Sequence, residues 1–147
     1  MIKILTLALG VLVSSALAQN SMIVVESKQS VDECVSSIVK IIEKKEVLGL
    51  FSIIDHKKNA IQVGLNLPDT KLIVFGNPRA GTLLMQADSS MAYELPLKIL
   101  VRKTKDKKVL VSYKDPSYYV KNYSLENSKI PSKMTGLLKK LASSCSK

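Results

Sequence analysis

Between Lys71 and Gly76 the chain reads Lys-Leu-Ile-Val-Phe-Gly, and Asn-Pro-Arg-Ala-Gly follows at once. Four consecutive apolar residues, bounded by turn formers, make a segment too short for a stable helix. They predict a central strand buried on both faces. Such a strand needs neighbours at both edges and cover above and below. The remaining sequence must therefore supply further strands and amphipathic helices.

It does. Met22–Ser27 is short and β-branched, a strand pattern. Ser30-Val-Asp-Glu33 has capping-box spacing, Ser at N-cap and Glu three residues later. The helix it opens carries Val31, Cys34, Val35, Ile38, Ile41 and Ile42 on one face. Leu48–Ile54 reads as a strand, and Asp55 caps a second helix that ends by Gly64. Asn77–Gly81 reads as a loop and Thr82–Ala87 as a short helix. Leu97–Lys103 and Lys108–Tyr113 flank the charged turn Thr104–Lys107 and predict an antiparallel hairpin. Asp115-Pro116 opens a helical turn with Tyr118 and Tyr119. Residues 124–130 are polar and read as a linker. Pro131–Ala142 spaces Met134, Leu137, Leu138 and Leu141 as one helical face. The order predicts an α+β fold: a single small domain, helices packed on one mixed or antiparallel sheet with a β-hairpin, plus a C-terminal amphipathic helix.

Residues 1–18 are set apart. Lys3 gives a positive start, Ile4–Val13 is apolar, and Ala16-Leu17-Ala18 is a small-x-small site. That is the pattern of a secretory signal peptide cleaved before Gln19. The apolar run is shorter than the ~20 residues a membrane span requires. The division expected is 1–18 leader, 19–123 α+β domain, 124–147 linker and helical extension. The product is expected to be secreted or periplasmic.

Composition narrows the chemistry. One His excludes a multi-histidine zinc site, and two Cys exclude a cysteine-ligated Fe–S cluster within one chain. With 5% aromatic residues and no Trp, a base-stacking platform for single-stranded nucleic acid is an awkward fit. The formal charge of +10 still calls for an account. Lys103, Lys105, Lys107 and Lys108 crowd the hairpin turn, and Lys139 and Lys140 lie on the last helix. For an exported chain, the partners this suggests are an acidic protein or an anionic membrane surface, not nucleic acid. The plainer reading is a solvated sheet edge that discourages strand pairing.

Five phrases occur in order: Ser30-Val-Asp-Glu33; Ile54-Asp-His56 with Asn59-Ala60; Phe75-Gly-Asn-Pro-Arg-Ala-Gly-Thr82; Leu95-Pro-Leu-Lys98; and Val111-Ser-Tyr-Lys-Asp-Pro116. Together they resemble the family called domain of unknown function 302, over roughly residues 22–123. The resemblance implies a small α+β domain that forms a homodimer. It also implies haem as a cofactor, since some members are associated with haem binding. Cys34 departs from the family pattern, where a Thr or small residue is usual, and residues 124–147 run past it.

His56 lies in the first turn of a predicted helix. The positive end of the dipole there favours the neutral imidazole that ligates metals. A half-buried histidine filling a strand–helix corner is the simpler account. The resemblance places His56 inside a family phrase and so raises the ligand reading, a single axial ligand to haem iron. In a dimer, two such rings could share one iron. In Gly76–Thr82, Gly81 could adopt positive φ and Thr82 could cap the next helix. With Arg79, that loop would suit a carboxylate, a phosphate or a haem propionate. A tight turn with a solvated Arg79 explains it equally well. Cys34 and Cys145 both stand outside the family pattern, which suggests a disulfide between them. The alternative is a buried Cys34 and a free Cys145.

No nucleophile-elbow phrase accompanies His56. Asp32, Asp55, Asp88 and Asp115 could in principle supply a carboxylate pair. A hydrolase without a recognisable motif is thus the remotest reading. A small-ligand-binding domain, with haem its most concrete ligand, stands first. A cofactor-free interaction module with a basic surface stands second.

Overall fold

The computed structural model describes residues 21–147; the leader expected at 1–18 lies outside them. Its elements follow in the order β1 (Met22–Ser27), α1 (Val31–Glu43), β2 (Gly49–Asp55), α2 (His56–Gln62), β3 (Thr70–Gly76), α3 (Pro78–Ala87), β4 (Leu97–Lys103), β5 (Val109–Lys114), α4 (Ser117–Asn122) and α5 (Ile130–Ser143). A 3-10 turn at Ser89–Tyr93 joins α3 to β4. The five strands form one sheet in the order β1-β5-β4-β3-β2, and every neighbouring pair is antiparallel. The fold is the expected α+β single domain, with the sheet wholly antiparallel.

Local chemistry starts each element. Ser30 accepts from the Glu33 amide, and Glu33 accepts in return from the Ser30 amide at 2.9 Å. The Ser30 hydroxyl also donates to the Glu33 carboxylate at 2.7 Å, and this bond, then the one from the Ser30 amide, lowers the Glu33 carboxyl below its usual range. Asp55 accepts from the Lys58 amide at 2.9 Å and so starts α2. Lys107, with φ 64°, closes the β4–β5 turn in the left-handed region.

One face of the sheet holds the core. Leu97, Ile99 and Val101 of β4 are buried, while Lys98 and Arg102 point the other way. Val111 and Tyr113 of β5 and Ile73 and Phe75 of β3 continue the buried layer. Above it lie Cys34, Ile38 and Ile42 of α1 and Met134, Leu138 and Leu141 of α5. Removing a side chain such as Ile38 from water contributes about 1.5–3 kcal/mol. Ile38→Ala would leave a cavity and cost about 2–5 kcal/mol.

Two expectations change. β3 is not the central strand; β4 is. Leu72 and Val74 of β3 are only half-buried, because the face opposite α1 and α5 is less covered than a doubly wound sheet would be. Residues 124–147 are not an appendage either. Leu125 is 1% exposed, α5 belongs to the main core, and Cys145 is fully buried. Sequence period alone cannot distinguish a helix that extends a domain from one that completes it.

Cys34 and Cys145 form a disulfide across a sequence separation of 111. The same corner is stitched by the Cys145 carbonyl. It accepts from Ser27 Oγ and from the Lys28 amide, each at 3.0 Å. The end of β1, the buried face of α1 and the last turn of the chain are thereby joined.

Candidate functional site

The sheet has two ends, and the register says what sits at each. Gly49 pairs with Gly76 at one end of the β2–β3 ladder, and Asp55 pairs with Lys71 near the other. His56 follows Asp55. Arg79 follows Gly76 by three residues. Seven strand residues at ~3.3 Å each separate the two by about 20 Å. The structure therefore does not bring His56 to Arg79, Gly81 and Thr82 within one chain.

The loop expectation is corrected in detail. Asn77, not Thr82, is the N-cap of α3: its side chain accepts from the Ala80 amide at 3.1 Å, and Pro78 takes the first helical position. Gly81 donates its amide to the Asn77 carbonyl at 2.9 Å as an ordinary helical residue, without positive φ. Thr82 turns its hydroxyl back onto the Pro78 carbonyl at 2.8 Å. The Ala80 and Gly81 amides, which would have cradled an anion, are both taken by Asn77.

What this end of the sheet does contain is a groove of about 940 Å³. Its floor is the core itself, Leu97 and Met134. One wall is Arg79–Met85 of α3, and another is Ile130, Lys133 and Leu137 of α5. The start of β2 closes the third side. There the β2–β3 register shifts between Leu50 and Ser52, so that Phe51 sits in a bulge. Its ring lies over Gly49 and Gly76: a Cβ on Gly49 would come within 3.2 Å of it, and one on Gly76 within 3.4 Å. Two facing glycines make room for one aromatic ring.

The groove is apolar and open to water. Val47, Phe51 and Leu83 are 64%, 54% and 50% exposed. Large apolar side chains left in solvent and clustered on a concave wall mark a binding surface more than scattered ones do. Asn77 and Thr82 are its uncharged polar lining residues, and both already have backbone partners. The lining includes Lys45, Arg79 and Lys133 and no carboxylate.

A second cluster lies beside it. Glu94, 7% exposed, accepts from Lys114 Nζ at 2.7 Å and from the Tyr123 hydroxyl at 3.0 Å. Lys98 Nζ donates to the Glu94 and Pro96 carbonyls, each at 3.0 Å. Burial holds Lys98 below the usual lysine range, the Glu94 charge opposes that, and Lys114 adds to it. Desolvation, then the bond to Glu94, raises the Tyr123 phenol to about 12, and burial raises Tyr119 further. Every buried polar side-chain atom among the described residues has a partner. This cluster fixes the segment before β4.

The acidic residues weighed for hydrolysis are each engaged. Asp32 and Asp55 both reach Lys71 Nζ, at 2.6 and 3.4 Å. Asp88 accepts from the Ser90 amide and Asp115 from the Ser117 amide, each at 3.0 Å. No group of three or more His, Cys, Asp or Glu is placed to hold a metal ion among the described residues. On the hairpin turn, Lys108 pairs with Glu26 at 3.2 Å, and Lys103, Lys105 and Lys107 are exposed.

The groove was not found from sequence, because its walls come from segments up to 92 residues apart, Lys45 to Leu137. One signal was available. Leu83-Leu84-Met85 is wider than one helical face can bury, and only Leu84 is buried.

The model of a family described as "Domain of unknown function DUF302" matches residues 23–141. A crystal structure of the uncharacterized conserved protein DUF302 from Bacillus stearothermophilus superposes with a TM-score of 0.71 at 14% identity. It covers 86% of this chain and 98% of that one. Among curated proteins, "Fluoride-specific ion channel FluC 1" of Brucella suis biovar 1 (strain 1330) is 34% identical over 113 residues, 76% of this chain and 43% of that protein. The protein of the same name from Brucella abortus biovar 1 (strain 9-941) matches at 34% identity with 41% of its length. The chain thus spans less than half the length of these relatives. No helix among the described residues is long and apolar enough to cross a membrane.

Proposed function

This chain belongs to the DUF302 family, and from that premise and the groove we propose that it is a small-ligand-binding domain whose ligand is apolar. The observation that carries this reading is a concave surface of about 940 Å³ with Val47, Phe51 and Leu83 left in solvent on its walls. That volume falls at the upper end of the ~300–1,000 Å³ usual for small-molecule sites. A largely apolar lining without a carboxylate or a histidine favours binding over catalysis at this site.

The groove lining does not fit a haem held by an axial imidazole. The groove offers no imidazole, and His56 lies at the opposite end of the sheet from Arg79. The reading therefore involves no iron chemistry.

We place the protein outside the cytoplasm. The leader-like residues 1–18 and the Cys34–Cys145 bond support this, since disulfides persist in oxidising compartments. Relatives named as fluoride-specific ion channels, less than half of whose length this chain matches, support a site of action beside a bilayer.

The test is a titration with the neutral fluorophore N-phenyl-1-naphthylamine, which brightens in apolar surroundings. Saturation at one probe per chain is expected, with loss of binding in Leu83→Asp, an exposed change that leaves the fold intact. No brightening, or equal brightening in the variant, would overturn the reading.

A further inference from the structure

We propose that the groove takes a single-chain amphiphile with an anionic headgroup, such as a long-chain carboxylate. The inference rests on the groove being a ligand site and adds the class of ligand.

The argument is one of complementary chemistry. Inside the groove the uncharged side chains offer few hydrogen-bonding groups: Asn77 Oδ1 accepts from the Ala80 amide and the Thr82 hydroxyl donates to the Pro78 carbonyl, which leaves the Asn77 Nδ2 donors and the Thr82 oxygen as acceptor. A ligand with polar atoms along its body would bury most of them unpaired, at about 1–3 kcal/mol each. A mainly hydrocarbon body matches this lining. The lining is aliphatic and adaptable, with Leu83, Met85, Met134 and Leu137 against one aromatic ring, Phe51. Methionine and leucine mould to a flexible chain, whereas a flat conjugated ligand is usually gripped between aromatic faces.

The ligand's polarity must then sit at one end, and its sign is fixed. Lys45, Arg79 and Lys133 are exposed on the lining, and none forms an ion pair among the described residues. Three unneutralised cations beside hydrocarbon favour an anion and oppose a cationic head. They come from the turn after α1, from α3 and from α5, so they line one groove only in the fold.

The experiment uses the full chain loaded with N-phenyl-1-naphthylamine and two displacing amphiphiles of equal tail length, dodecanoate and dodecyltrimethylammonium, below micelle formation. Dodecanoate is expected to displace the probe at a concentration at least tenfold lower. In Lys45→Gln/Arg79→Gln/Lys133→Gln, dodecanoate should weaken about tenfold while the cationic amphiphile does not weaken, with an unchanged thermal midpoint. Equal displacement by both amphiphiles, or an unaffected variant, overturns this proposal and leaves the small-ligand reading standing. Absence of probe binding overturns both. Probe binding that disappears as protein concentration rises, with dimerisation in sedimentation, would assign the groove to a second copy of the chain and also overturn the proposal.

Discussion

Cys34 and Cys145 lie 4.9 Å apart Cα to Cα although 111 residues separate them in sequence. The bond closes nearly the whole described domain into one loop. A loop of that size stabilises by about 4–5 kcal/mol in the chain-entropy account, and engineered cases often give less. Cys34→Ala, Cys145→Ala and the double variant should therefore lose similar amounts, and reductant should mimic them. Urea unfolding with and without dithiothreitol checks this. Coincident curves would show that the bond contributes nothing.

Gly136 sits mid-helix in α5, where an added Cβ would meet nothing within 4 Å. Glycine there costs backbone entropy with no steric return. Gly136→Ala should stabilise by about 0.5–1 kcal/mol and raise the thermal midpoint by a few degrees. Calorimetry reads it directly, and a lowered midpoint would contradict it.

His56 opens α2 at the far end of the sheet from the groove. His56→Ala should leave naphthylamine binding unchanged. Titrated with ferric haem, the variant and the unaltered chain should give the same absorption spectrum. A sharp Soret band present only with His56 would restore it as an iron ligand.

Tyr123 keeps its proton to about pH 12 in the folded chain, against about 10 when unfolded. Between those values the folded state binds more protons than the unfolded state. The slope of stability against pH is then negative. Its contribution is complete below about pH 10 and is lost as pH rises through about 12. Tyr123→Phe should be less stable at neutral pH, because Glu94 loses a donor, yet should decline less steeply from pH 10 to 12. Urea midpoints across that range decide it; parallel declines would remove Tyr123 as a cause.

Much of the fold was legible because it is locally encoded. Ser30 with Glu33, Asp55 at the start of α2 and the charged turn between β4 and β5 each need only neighbours in sequence. In sequence Asn77-Pro78 reads as a loop, although proline at the first helical position is a start signal; Gly81 places the expected helix start four residues late. The position of β3 within the sheet, the docking of α5 and the convergence of Val47, Phe51, Leu83 and Leu137 depend on tertiary packing, which no local period records. Of the expected site residues, Arg79, Gly81 and Thr82 do line the groove, but as parts of a helix wall.

The bulge at Phe51 has a bearing on assembly. β2 is an edge strand, and a regular edge presents free amides and carbonyls that can template a stranger's chain. Where Phe51 steps out of register, an incoming strand would find the spacing broken after Leu50 and could not run the length of the edge. The same extra residue that gives the groove its aromatic wall thus interrupts one of the sheet's two edges, the other being β1.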